Sequence, residues 1–255
     1  MKICILLSGR VHHYSNLLKV IKKSSDDIHV FISVNDTYKP FYDKLRANFS
    51  NYLKGLHCEE YKMPQYFFHQ NAYNYNLAKH CNEDKTKYVL SCYYNDKNAF
   101  QMATAYADAN NFEYDIYLRF RSDLEVDELP IFDMRYKDGI LFSVKPVHSN
   151  FILAVTDNPD LQFSFNDGRG YCIGNLRNHN KPVTSDISYG IRKAMSIYCS
   201  CYEYILTENI KYKGNYFIWY EHSITMCLND SGYPWELFDY NYNYVTNRGL
   251  YEETN

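Results

Sequence analysis

Hydrophobic and polar positions alternate most regularly from Tyr114 to Asp127, YDIYLRFRSDLEVD, where Ile116, Leu118 and Phe120 interleave with Tyr117, Arg119 and Arg121. A period of two is the signature of a strand, and Ile, Tyr and Phe favour that state. Asp115, Arg119, Arg121 and Asp123 then share one face, and the apolar face opposite packs on the core. Arginines inside a strand are costly unless something anionic meets them. The strand runs straight into Asp123, Glu125 and Asp127, and Pro130, which cannot donate to a ladder, ends the unit. Cations followed at once by carboxylates at a strand end suit a phosphate group with a divalent metal. The plainer alternative is an edge strand with solvated charges and a local ion pair.

The same patterning predicts the flanking elements. Lys2 to Leu7 reads as a short buried strand stopped by Ser8-Gly9, and Ser15 as the cap of a helix burying Leu17, Leu18, Val20 and Ile21. Ile28 to Val34 is a second strand, so the chain opens as a βαβ unit, in which ligands sit beyond the carboxyl ends of strands. Gly9 and Arg10 lie at such an end: Gly9 lets a ligand approach the backbone and Arg10 reaches a phosphate or base, or the pair is an ordinary turn glycine beside a surface arginine. The loop is not GxGxxG, which disfavours a Rossmann dinucleotide site.

Pro40 fits the first turn of a helix to about Leu53, with Phe41, Leu45 and Phe49 on one face. His57 to Gln65 reads as strand or loop, and Gln70 to Cys81 as helix. Asn95 or Asp96 caps a helix through Ala109 that delivers the chain into the Tyr114 strand. Beyond Pro130, Gly139 to Val144 and Phe151 to Val155 are strand-like, Asn166 to Gly170 is turn chemistry, and Tyr171 to Gly174 a brief strand. Ser185 reads as the N-cap of a helix to Ile205 with Asp186 in its first turn. A last helix runs from Phe217 to Asn229 with Gly232 at C′, before a tail rich in Tyr and Asn.

Size and composition narrow the classes. The 255 residues suit one domain or two closely packed halves, and 46% hydrophobic residues are enough for a large core. A net charge of -3 provides no basic field for nucleic acid. Aromatics reach 18%, with 28 tyrosines, which reflects either an AT-rich genome or rings that stack on sugars. No stretch approaches the roughly 20 apolar residues of a spanning helix, and the apolar run at Ile3 to Leu7 is too short for a signal peptide. The chain is therefore expected to be cytoplasmic. Its 8 cysteines are scattered, as reduced core thiols are, and the Cys199/Cys201 pair has no second pair at zinc spacing.

Four stretches resemble parts of small glycosyltransferases of the GT-A fold, as found in surface-glycan gene clusters and large DNA viruses. They are ILLSGRVHHYSNLLKVI with DIHVFIS, AFQMATAYADANNFEYDIYLRFRSDL, GYCIGNL with SDISYGIRKAMSIY, and YEHSITMCLNDSGY. Ser122 stands where that family's strand has proline, and a plain DxD is missing. The resemblance implies an α/β, GT-A-like (Rossmann-like) mixed sheet flanked by helices on both faces. It implies one domain over 1–255, with a nucleotide-sugar-binding half (1–127) and an acceptor-side half (128–255). It also implies transfer of a sugar from a UDP- or GDP-sugar to a glycan or other hydroxyl acceptor, and, if the source is viral, a place in the host cytoplasm.

In such chemistry Mn²⁺ or Mg²⁺, with arginines, neutralises the leaving diphosphate. Asp123 is then the first metal ligand and Glu125 the second, while Gly9, Arg10, Arg119 and Arg121 bind the donor. Asp186 and Glu221 are candidates for the base that deprotonates the acceptor. His222 is a further candidate metal ligand late in the chain. A plain helix-terminus charge for Asp186, a solvated helix face for Glu221 and an ordinary helical His222 are the corresponding bland readings. A nucleotidyltransferase that makes nucleotide sugars and a non-catalytic glycan-binding protein are the rival classes.

Overall fold

In a computed structural model the described residues are 1–9, 11, 13–35, 39–64, 83–145, 154–155, 165–166, 169–170, 172–173, 183–184, 186–208 and 220–244. The two apolar runs at the start form β1 (Lys2–Ser8) and β2 (Asp27–Val34), paired in parallel across α1 (Ser15–Lys23). Helix α1 buries the expected Leu17, Leu18, Val20 and Ile21, but its N-cap is Tyr14, without a capping side chain. Next come α2 (Lys39–Asn48) and β3 (Leu53–Cys58), parallel to β2. The helix expected to reach Leu53 stops earlier because Leu53 is needed opposite Val30 in the sheet.

A 27-residue helix, α3 (Glu83–Ala109), follows. It starts well before Asn95 and Asp96, which were expected to cap it. Both lie mid-helix and buried, and their side chains are spent on the sheet instead of on helix N–H groups. The Tyr114 stretch is β4 (Ile116–Phe120), all five residues buried, followed by the short β5 (Leu124–Glu125). A 3₁₀ turn at Met134–Asp138 leads into β6 (Leu141–Val144). The expected turn at Asn166 to Gly170 carries a two-residue antiparallel ladder, and Ala154–Val155 pairs with Cys172–Ile173.

Ile187–Gly190 is a buried strand, β7, not the first turn of a helix. Its four residues alternate between the faces of the sheet, and the amphipathic helix pattern begins only at α4 (Arg192–Cys199), continuing after Ser200 as α5 (Cys201–Glu208). Gly190 makes this tight corner possible, since a Cβ there would lie 2.8 Å from the Cβ of Ala194. The last elements among the described residues are α6 (Tyr220–Asp230), β8 (Trp235–Phe238) and β9 (Asn243–Tyr244). Gly232 takes the left-handed conformation (φ 67°) expected of a C′ residue, with Tyr233 N donating to Leu228 O.

The main sheet has seven strands in the order β3-β2-β1-β4-β7-β6-β8. Only β7 runs antiparallel to its neighbours. This is an α/β, Rossmann-like mixed sheet, and β4 is its middle strand, not an edge. One face packs Ile3, Ile5, Val30, Ile32, Ile116 and Leu118 against α1 and α2. The other packs Cys4, Leu6, Phe31 and Tyr117 against α3 and α4.

Candidate functional site

The chain leaves β1 in one direction to make β2 and β3, then returns to place β4 on the other side of β1. Open α/β sheets bind ligands in the crevice beyond the carboxyl ends of the strands at such a reversal. Here that point lies between Ser8-Gly9, which end β1, and Arg119, Arg121 and Asp123, which end β4. Gly9 has φ 77° and donates its N–H to Ser33 O. A Cβ would meet only Cys92 Sγ at an ordinary 3.7 Å, so glycine supplies conformation here, not room. Arg10 lies outside the described residues.

The two arginines of β4 share a face, as the alternation required, but they meet different surroundings. Arg119 is 4% exposed. Its Nε donates to Asp96 Oδ1 (3.2 Å), Nη2 to Ser8 Oγ (3.4 Å) and Nη1 to the Asp186 carbonyl (3.5 Å). Ser8 Oγ also donates to Asp96, and beside it Asn95 accepts from Ser33 Oγ (2.7 Å) and donates to Asn35 Oδ1 (2.7 Å). This polar layer ties the ends of β1, β2 and β4 to the middle of α3. Arg119, expected among donor-binding groups, is buried in this layer.

Arg121 is 32% exposed at its side chain. Nε and Nη2 grip the Asp123 oxygens at 2.6 and 3.0 Å, Nη1 reaches Asp186 Oδ1 at 3.4 Å, and the guanidinium lies 5.2 Å over the Tyr244 ring. Burial alone would weaken the guanidinium's hold on its proton. The hydrogen bond to Asp123 and the charges of Asp123 and Asp186 outweigh it and keep Arg121 firmly cationic.

Asp186 is not a helix-terminus charge. It opens β7, is 4% exposed, and accepts from Tyr242 Oη (2.7 Å) and Tyr244 Oη (2.6 Å) at Oδ2. Burial, reinforced by the Asp186 charge, raises the Tyr242 phenol far above its usual value, so it remains a donor. The tail brings these phenols in because β9 pairs with β5, Tyr244 opposite Leu124. Asp96, Tyr242 and Tyr244 were not among the sequence-predicted site residues. Asp96 masqueraded as a helix cap, and the Tyr/Asn-rich tail had no periodic signal.

Glu125 is exposed and does not join Asp123. It lines a cleft of about 840 Å³ with Asp127, the start of α1 (Asn16, Lys19), Lys145 and Asp239. Tyr242 lines the cleft and also holds Asp186, which joins cleft and arginine cluster. Glu221 and His222 fall in the first turn of α6, but their side chains lie outside the described residues. A divalent cation was expected at Asp123 and Glu125; here both Asp123 oxygens are in the Arg121 fork, and Glu125 lines the cleft instead. Among the described residues no three His, Cys, Asp or Glu side chains converge as a metal site. The buried thiols of Cys199 and Cys201 are pushed well up by burial, as inert core cysteines are. No helix among the described residues is long and apolar enough to cross a membrane.

No family model matches the chain, and no curated protein does. Among solved structures it is similar to a nucleoside-diphosphate-sugar pyrophosphorylase from Vibrio cholerae RC9, at 8% identity and a TM-score of 0.42, over 93% of this chain and 92% of that one.

Proposed function

We propose that the protein is a nucleotide-sugar-dependent glycosyltransferase that moves a sugar from a UDP- or GDP-sugar to the hydroxyl of a glycan or similar acceptor. The observation that carries the reading is Arg121, a partly exposed guanidinium at the strand-order reversal, held rigid beside a cleft large enough for a saccharide. Guanidinium has five N–H groups, and the contacts to Asp123 and Asp186 use three of them. One N–H on each terminal nitrogen is left for ligand oxygens.

The cleft supports the acceptor half of the proposal. Glu125, Asp127 and Asp239 outnumber Lys19 and Lys145, and Asn241 and Asn243 stand among them. Carboxylates accept from hydroxyls, amides accept and donate, and the half-buried ring of Tyr240, stacked on the buried Tyr242 at 6.4 Å, lies in the lining of the same cleft. An acidic rim of this kind does not attract nucleic acid.

Calorimetry with UDP, GDP and their sugars tests the reading, together with a donor-hydrolysis assay. Binding of one nucleotide sugar, weakened about tenfold or more in Arg121→Lys because a point charge cannot replace the fork, is the expected result. Conversion of a nucleoside triphosphate and a sugar phosphate to a nucleotide sugar and pyrophosphate would make the protein a nucleotidyltransferase instead. Saccharide binding without any nucleotide affinity would make it a glycan-binding module.

A further inference from the structure

We infer that Arg121 is the resident cation of the Asp123–Asp186 carboxylate pair, so that the site binds its ligand without a divalent metal there. The inference specifies how the proposed nucleotide-sugar site is charged, but it stands on geometry that needs no nucleotide. Divalent ions of this class are held by one or two carboxylates plus ligand oxygens, and Asp123 and Asp186 are the two carboxylates that meet Arg121 at the reversal point. The guanidinium lies between them, with Nε and Nη2 on one and Nη1 on the other.

A metal taking Asp123 would have to break a bidentate, charge-assisted pair. On Asp186 it would meet Oδ1 beside the Arg121 cation and Oδ2 already accepting from two phenols. Arg121 is fixed from a third side by the Tyr244 ring, a cation–π contact that also sets its plane. Tyr244 is carried by β9, which is hydrogen-bonded to β5 just beyond Asp123. Three separate segments therefore converge to place one guanidinium where a metal would sit.

The test is Mn²⁺ alone, without nucleotide, followed by thermal unfolding and by the electron paramagnetic resonance signal of free Mn²⁺. The wild-type protein should show no Mn²⁺ effect that depends on Asp123: wild type and Asp123→Asn respond alike. Arg121→Met, which leaves the carboxylates without their cation, should gain Mn²⁺ binding that a further Asp123→Asn change removes. A Mn²⁺ stabilisation of the wild-type protein that Asp123→Asn abolishes overturns the inference, whether or not the Arg121 variant folds. Absence of a Mn²⁺ gain in a folded Arg121→Met protein overturns it too. Because these arms contain no nucleotide, failure of the nucleotide-sugar reading would show separately, as the absence of UDP- or GDP-sugar binding in EDTA and in Mn²⁺ alike.

Discussion

Changing Asp96 to Asn should be among the most damaging single-atom-scale changes in the protein. The Asp96 and Arg119 side chains are 2% and 5% exposed, so Arg119 has no solvent to fall back on. Asparagine keeps a carbonyl oxygen near Nε and near Ser8 Oγ but removes the charge. Leaving one member of a buried ion pair uncompensated costs about 3–5 kcal/mol. Set against a typical total stability of about 5–15 kcal/mol, that is a third or more of the whole in most cases. At about 2–4 °C per kcal/mol for a chain of this size, the Tm should fall by about 6–20 °C. Urea unfolding with an unchanged m-value would report the same loss as a shifted midpoint. The double variant Asp96→Leu/Arg119→Met is the decisive companion. Replacing both charges by apolar groups of similar volume is often nearly neutral, so the double variant should be more stable than Asp96→Asn. Loss of less than about 1 kcal/mol in Asp96→Asn, with the double variant no better, would refute the reasoning, because that is how a solvated pair behaves.

Three further outcomes are expected. Gly55→Ala should lose about 1–3 kcal/mol by overpacking, read by urea unfolding, since its Cβ would lie 2.8 Å from Phe31 Cδ1 and 3.1 Å from Met102 Sδ. Asp108→Ala, which breaks the exposed bidentate pair with Arg192, should leave the urea midpoint almost unmoved, because solvent screens such a pair. His29 titrates below its ordinary value chiefly because it is buried, the neighbouring Lys54 and Lys2 assisting and Asp27 opposing. The unfolded chain therefore takes up the proton first as pH falls, so stability present above about 6.5 is lost as pH drops from there toward the folded value. The wild-type Tm should decline more than that of His29→Phe between pH 8 and 5.

What the sequence showed was carried by short-range periodicity. The alternation around Arg119 and Arg121 located the middle strand of the sheet, and the buried face of α1 was readable residue by residue. What it hid was decided by contacts between distant segments. Asn95 and Asp96 look like caps because their side chains bond backbone N–H groups when nothing else is near. In the fold, Ser33 and Arg119, from strands far along the chain, take those side chains, and the helix runs on through them. Asp186 was misplaced in a helix for the same reason: Arg121 and two tail tyrosines recruit it, and the four residues after it form a strand. Polar residues with two possible employers are decided by tertiary structure, which no local window contains.

The same contrast separates the roles of the two arginines. Both sit on one face of β4, two residues apart, and each is met by a carboxylate from its surroundings. Arg119 is buried in the polar layer that joins three strand ends to α3. Arg121 stands one step further along, where the strand leaves the sheet, and keeps part of its surface open. The inner pair thus fixes the position of Ser8 and of the Asp186 backbone, through Nη2 and Nη1 of Arg119. Asp186 in turn fixes Arg121. The buried ion pair sets the geometry of the open one, so a change at Asp96 should disturb ligand affinity through Arg121 even though Asp96 touches no ligand.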